Sequence, residues 1–223
     1  MQRAEVAVLI PVLSRPSRVQ PLVEALRACS PDVPCRPYFL VSPGDAAEEE
    51  AVRASGANLI KVTWPPGRGD YARKMNHGFA HTDELYVFLG ADDLRFDPDW
   101  AVEAIAVQQE TGACVVGTND LGNPRVVSGE HSTHTLVHRG YGDCGTIDDP
   151  TRILHEHYHH QFVDDELVQT ALSRDTYAHA HDAHVEHLHP NWGKAADDST
   201  YRRGNRHFWA DRNLFLQREK LWT

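Results

Sequence analysis

The chain has 223 residues, 41% of them hydrophobic and 24% charged, with 22 basic against 32 acidic residues and a formal charge of −10. That length supports a single α/β domain, which buries about 70% of its unfolded surface and needs no disulfide or metal to fold. An acidic whole excludes broad, non-specific binding to nucleic acid or anionic lipid and leaves only a local basic patch for such partners.

Val6–Val12 is a short apolar, β-branched run ended by Ser14-Arg15-Pro16, and it predicts a buried strand. Arg18–Cys29 follows with Val19, Leu22, Val23 and Leu26 on one helical face. Tyr38–Val41 predicts the second strand, and Asp45 the N-cap of an Ala/Glu-rich helix reaching Ser55. Asn58–Val62 predicts a third strand, and the prolines and glycines of Trp64–Gly69 a loop. A helix over Tyr71–Ala80 leads to a buried strand over Leu85–Leu89, which runs into Gly90-Ala91-Asp92-Asp93. A helix over Trp100–Glu110 and a strand over Cys114–Gly117 complete the alternation. Such repetition implies a mostly parallel central sheet with helices on both faces, and ligands beyond the carboxyl ends of its strands.

The second half is less regular. Asn119–Pro150 is rich in Gly, His, Asp and Thr and reads as a long loop or irregular hairpin. Phe162–Ser173 predicts a helix, Val185–Leu188 a short strand and Phe208–Leu221 a C-terminal helix. With no repeat and no linker, one domain spans 1–223, and 195–223 forms a basic, aromatic helical extension. The cysteines, Cys29, Cys35, Cys114 and Cys144, have no C-x-x-C or zinc-like spacing and read as free thiols of a reducing, cytoplasmic compartment. No run approaches the ~20 apolar residues of a membrane span, and no leader pattern opens the chain.

Three groups of residues are candidates for chemistry. Asp92 and Asp93 repel each other unless a cation or solvent intervenes. Hard oxygen ligands of this kind suit Mg²⁺ or Mn²⁺ bridging to a diphosphate, although an isolated Asp-Asp pair also fits a solvated turn. Asp164-Asp165-Glu166 opens the helix at 162–173, where acidic residues either favour the helix dipole or aim a general base into a cleft. Of 15 histidines, 12 lie between His131 and His189. His187 and His189, two apart in a strand, face one side and can share an ion. His155-Glu156-His157-Tyr158-His159 formally matches H-E-x-x-H, a zinc-hydrolase pattern that needs His155 and His159 on one helical face. No G-x-G-x-x-G follows the first strand and no P-loop is present, which argues against a Rossmann dinucleotide site or a P-loop NTPase.

Together these segments resemble the family 2 glycosyltransferases of the GT-A fold. Leu9-Ile10-Pro11-Val12-Leu13-Ser14-Arg15-Pro16 is similar to the family's first strand and nucleotide loop, and Gly69–Gly78 to its helix beside the donor. Phe88–Asp93 resembles the D-x-D metal motif, with Gly90 in place of the first acid. Asp164-Asp165-Glu166-Leu167 matches the position of the catalytic-base motif. His187–Lys194 resembles the C-terminal part of small GT-A enzymes often encoded by bacteriophages. The resemblance covers Val6 to Lys194.

It implies the GT-A fold and an inverting, metal-dependent transfer from a nucleotide-diphosphate sugar, a UDP-sugar favoured, to an acceptor hydroxyl. Mn²⁺ or Mg²⁺ would be held by Asp93, Asp92 and a histidine from His187 and His189. Asp165, or Asp164 as second choice, would be the base. Donor contacts are expected from Pro11, Ser14, Arg15, Ser42, Gly69, Tyr71, Lys74, Asn76, Asp92 and Lys194. The second strand ends in Val41-Ser42-Pro43-Gly44-Asp45, where the family often has acidic residues that read the base, so the nucleotide stays open. From Tyr201 to Trp222, Arg202, Arg203, Arg206, Arg212, Arg218 and Lys220 are interleaved with Tyr201, Phe208, Trp209, Phe215 and Trp222. Such a mixture can track nucleic acid, so a hydroxymethylated DNA base stands as one acceptor beside the reading of an ordinary amphipathic helix. The rival readings are a non-catalytic nucleotide-sugar binding module, a zinc hydrolase using His155, Glu156 and His159, and a nucleotidyltransferase lacking its usual basic glycine-rich loop.

Overall fold

In the first strand, β1 (Val6–Pro11), Val6, Val8 and Ile10 face one core while Ala7 and Leu9 face the other. Both faces are buried, which is why the run is apolar throughout rather than alternating. A computed structural model describes residues 5–29 and 32–222; the remaining positions of the expected 1–223 domain, Met1–Ala4, Ser30, Pro31 and Thr223, lie outside the described residues.

After β1 the chain forms α1 (Val19–Cys29), β2 (Cys35–Val41), α2 (Ala46–Ser55), β3 (Asn58–Lys61), α3 (Asp70–Ala80) and β4 (Tyr86–Leu89). There follow β5 (Leu94–Phe96), α4 (Trp100–Thr111), β6 (Val115–Asn119), α5 (Pro124–Val127) and β7 (Thr135–His138). The chain ends in α6 (Val163–Ser173), β8 (Tyr177–His187), α7 (Ser199–Asn205) and α8 (Phe208–Arg218). The strands form one sheet in the order β3-β2-β1-β4-β7-β6-β8-β5. The β3-β2-β1-β4 half and the β6–β8 pair are parallel. β7 runs antiparallel to β4 and β6, and β5 antiparallel to β8.

The helices cover both faces, as the alternation predicted. Val19, Leu22, Val23 and Leu26 of α1 join Trp100, Ala101, Ala104 and Ile105 of α4 over one face. Ala72 and Met75 of α3 and Val163, Leu167 and Ala171 of α6 cover the other. Asp45 caps α2 as expected, accepting the Glu48 N–H, and Gly56 closes that helix at φ 69°. Gly69 begins α3 at φ 68°, and a Cβ there would collide with the Glu156 carbonyl, so the position demands glycine twice over.

The second half departs from expectation in two strands. β7 lies mid-sheet inside the stretch read as a loop or irregular hairpin. Its four residues carry little apolar signal, and burial comes from β4 and β6 on either side. β8 is 11 residues long rather than the short Val185–Leu188 segment. Its core-facing residues are Ala178 and Ala180, then Ala183 and Val185. A register shift opposite Thr118/Asn119 breaks the period-two pattern between them.

The C-terminal segment is fastened to the sheet layers. Asp211 of α8, 1% exposed, accepts the backbone N–H groups of His159, His160 and Gln161 and the Nδ1–H of His159. Arg218 pairs with Glu166 and Asp148, and the Trp222 indole donates to Thr170. Among the described residues no disulfide is formed. Among the described residues, no helix is long and apolar enough to cross a membrane.

Candidate active site

β1 and β4 end side by side, and a cavity of about 450 Å³ opens beyond them. Of the expected site residues, Pro11, Arg15, Tyr71, Lys74, Asp92, Asp93, Asp164, His187 and His189 line it. β4 delivers the aspartates. The Gly90 N–H donates to the Leu9 carbonyl at 3.0 Å, and a Cβ at Gly90 would press on that oxygen at 3.1 Å. The chain then turns through Asp92 and Asp93, and Leu188 N–H on the Asp93 carbonyl, at 2.9 Å, brings the end of β8 alongside.

The two aspartates have different partners. Asp92 Oδ1 accepts from Arg15 at 2.8 Å and from Arg18 at 3.4 Å. Burial, then the charge of Asp93, pushes the Asp92 carboxyl up to about 6 despite both arginines. Asp93 Oδ2 accepts the Tyr201 hydroxyl at 2.8 Å and lies 3.4 Å from His187 Nε2. At Asp93 burial is outweighed by the hydrogen bond and charge of His187, by His134 and by Tyr201, and the carboxyl sits below the ordinary range. His187 and His189 have ring centroids 4.9 Å apart, but His187 alone of the two pairs with Asp93. His189 accepts the Asn191 N–H through Nδ1 and sets its ring against Tyr201.

Across the cavity stands the start of α6. Asp164 Oδ2 is 3.3 Å from His131 Nε2, and His131 is 3% exposed. Burial raises the Asp164 carboxyl, but the His131 hydrogen bond and charge outweigh it and keep the group ionised. Asp165 is turned to Arg125 at 2.8 Å and does not line the cavity. Glu166, 2% exposed, accepts from Tyr158 and Arg218 on the core side. The acidic run therefore sends one carboxylate to the cavity, one to a surface arginine and one to a buried clamp.

Several expected donor contacts have other employment. Asn76 accepts the N–H groups of Ile153 and Leu154 and donates to the Leu154 carbonyl and Glu156, which leaves it fastening the 153–156 segment. Lys194 pairs with Glu186 and donates to the Leu121 carbonyl, away from the cavity. Ser14, Ser42 and Gly69 do not line the cavity: Ser14 N–H donates to Asp45, Ser42 is 1% exposed, and Gly69 serves the turn into α3. Lys74, 1% exposed, donates to the Val12 carbonyl at 2.9 Å and pairs with Asp70 at 3.0 Å, so it braces the loop after β1. The H-E-x-x-H reading is corrected: residues 155–159 are turns, not a helix. His159 bonds Asp211, His155 faces Asp148, and Glu156 bonds Asn76 and Arg152.

Sequence reasoning missed Arg18, His131, His134, Asp198 and Tyr201. Arg15 takes Asp198 in a two-pronged pair, Nε to Oδ2 at 3.0 Å and Nη2 to Oδ1 at 2.8 Å, and stacks over Tyr201 at 4.3 Å. These contacts join residues more than 180 positions apart, and no local pattern announces them. His134 packs edge-on against His187, and its Nδ1–H donates to the Leu89 carbonyl at 3.0 Å. Burial, then the His187 charge, pushes the His134 ring down to about 4, so it stays neutral.

No protein-family model matches the sequence, and no curated protein matches it. Solved structures do. The chain is similar to glucosyl-3-phosphoglycerate synthase from Mycobacterium tuberculosis in complex with Mn²⁺, UDP and glucosyl-3-phosphoglycerate, at 16% identity and TM-score 0.64, over 96% of this chain and 79% of that one. For the same enzyme with Mn²⁺, UDP-glucose and phosphoglyceric acid the values are 16%, 0.63, 94% and 78%. A structure described as a mycobacterial protein matches at 14% identity and TM-score 0.63, over 91% of this chain and 70% of that one. At this identity the likeness shows the fold: a mixed α/β GT-A architecture, as the sequence motifs implied.

Proposed function

We propose that the chain is a metal-dependent glycosyltransferase that moves a sugar from a nucleotide-diphosphate sugar to an acceptor hydroxyl with inversion. One observation carries this reading: Asp92 and Asp93 just after β4, His187 at the end of β8 and Asp164 at the start of α6 line one cavity. The similar enzyme's complexes with Mn²⁺ and UDP-glucose support a UDP-sugar donor. The resemblance of Phe88–Asp93 to a D-x-D motif supports the same end of the sheet as its site.

Asp93 and His187, 3.4 Å apart on the cavity, are an oxygen and a nitrogen donor of the types that suit a divalent cation. Asp93 and His187 would hold the ion, with Asp92 and His189 beside them. When bound, it supplies positive charge that neutralises the diphosphate leaving group. The chain's own residues do the rest. Arg15 and Arg18, next to Asp92, supply guanidinium donors to phosphate oxygens. Lys74 and Asp70 brace the loop after β1 against which the donor lies. Asp164 takes the proton from the acceptor hydroxyl as its oxygen attacks the anomeric carbon and the bond to the diphosphate breaks. His131 fixes the carboxylate's orientation. Much of the acceleration comes from holding donor and acceptor in line.

Of the two aspartates, Asp164 is the base in this reading because it alone lines the cavity. Asp164→Asn is expected to lower sugar transfer by roughly 10²- to 10⁴-fold while leaving nucleotide binding intact. Donor binding without any sugar transfer by the wild-type chain would favour a non-catalytic nucleotide-sugar binding module, whereas transfer unchanged in Asp164→Asn would remove Asp164 as the base. The hydroxymethylated-base acceptor now rests on fewer residues. Arg218 is taken up by Glu166 and Asp148, whereas Arg202, Arg203, Arg206, Arg212 and Trp209 remain exposed.

A further inference from the structure

The charges that line the cavity do not balance. Each of its four carboxylates has a partner: Asp70 pairs with Lys74, Asp92 with Arg15, Asp93 with His187 and Asp164 with His131. Three further guanidiniums that line the cavity have none among the described residues. Arg68 donates to the His157 carbonyl at 2.7 Å, Arg203 to the Pro66 carbonyl at 3.3 Å, and Arg206 makes no side-chain hydrogen bond. Among the described residues no carboxylate pairs with any of the three, in a chain with 32 acidic residues. Guanidinium forks without a fixed counter-ion, converging on the mouth of a cavity, are built for an oxyanion.

Arg15 and Lys74 lie with the aspartates where β1 and β4 end. The other three arginines stand on the 65–69 loop and on α7 and its end, which close on each other through the Arg203–Pro66 contact. α7 packs tightly on His160, where a Cβ at Gly204 would come within 2.7 Å of the ring. His160 in turn meets Tyr71 edge-on at 6.0 Å, beside the cavity wall that holds Asp164.

We infer that Arg68, Arg203 and Arg206 form an oxyanion subsite for the acceptor, and that the acceptor is a small hydroxy compound carrying a phosphate or carboxylate group. The inference rests on the transferase reading, which supplies the donor at the other end of the cavity. The anionic group docks on the three guanidiniums and leaves the hydroxyl directed toward Asp164.

The test is calorimetric titration of inorganic phosphate, glycerol 3-phosphate, glyceric acid and glycerol into the full chain saturated with UDP and Mn²⁺. The phosphate and carboxylate probes are expected to bind and glycerol is not. Arg206→Ala and Arg203→Ala should each weaken the charged probes about tenfold while UDP–Mn²⁺ affinity stays at the wild-type value. Arg206 holds nothing in place, so its variant reports the subsite without disturbing the fold. Equal binding of glycerol and glycerol 3-phosphate, or variants that bind the charged probes like wild type, overturns the inference. So does a parallel loss of UDP binding, which would assign the arginines to the donor. Tighter binding of hydroxymethylated single-stranded DNA than of any small probe also overturns it. If UDP and Mn²⁺ do not bind at all, the transferase reading fails, and phosphate titrated into the free chain decides separately whether the cation cluster takes an oxyanion.

Discussion

At Asp164 and Asp165 two adjacent carboxylates are sorted by what surrounds them. His131 holds Asp164 ionised at the cavity wall, and Arg125 draws Asp165 away. Asp165→Asn is therefore expected to retain transfer within about tenfold of wild type, against the much larger loss for Asp164→Asn, as a steady-state comparison of the two would read. Loss in Asp165→Asn equal to that in Asp164→Asn would return the base to Asp165. The sequence placed both residues at a helix start but could not rank them, because the ranking depends on His131 and Arg125, some 30 to 40 positions away. The same holds for the histidine pair. Alternation put His187 and His189 on one side, yet the strand ends at His187, and only that ring pairs with Asp93.

The element that most shapes the site is the segment running from His189 into α8, which follows the last strand and crosses the cavity mouth. Asp198 holds Arg15 in the way a phosphate would, and Tyr201 donates to Asp93 where a cation is expected. Binding of a diphosphate must displace these contacts. Asp198 is 38% exposed, so its ion pair is worth at most about 1 kcal/mol. Asp198→Asn is expected to raise nucleoside-diphosphate affinity about threefold, read by titration calorimetry. A fall in affinity would mean that the segment is a wall of the site and not a competitor for it. Farther along, Asp211 anchors α8 through three backbone N–H groups and His159. Removing it leaves buried donors unpaired, and Asp211→Ala should cost about 3 kcal/mol in denaturant unfolding. Burial raises this carboxyl, but those hydrogen bonds outweigh it and hold it below the ordinary value. Its stabilisation is whole above about pH 4, the unfolded value, and is lost as pH falls through the lower folded value. Fluorescence of Trp209 and Trp222 should report loosening of α8 below about pH 4 in wild type, and a much weaker pH dependence over that range in Asp211→Asn.

For the whole molecule, the parallel half of the sheet was legible because β1, β2 and β4 carry apolar runs with helix patterns between them. The Asp45 cap was such a local pattern, and so were the prolines and glycines of the loop at 64–69. The antiparallel half was not legible. β7 is stabilised by neighbours about 50 residues upstream and about 20 upstream, and β8 hides its period behind a register shift and alternating Ala and His. The site was legible as a set of strand and helix ends. Its closure by Asp198, Tyr201 and α7 was not, since long-range ion pairs leave no trace in spacing. The proposed donor end at β1 and β4 can be tested on the intact chain.

The most direct test is thermal stabilisation by UDP, GDP, ADP, CDP and dTDP, each with and without Mn²⁺, on wild type and Asp93→Asn. A nucleotide at 100 times its Kd stabilises by about 2.7 kcal/mol, a shift of several degrees for a domain of this size. The account predicts such a shift with one nucleotide, dependent on Mn²⁺ and abolished in Asp93→Asn. No metal-dependent shift with any of the five, in a wild-type protein that unfolds cooperatively, would contradict it.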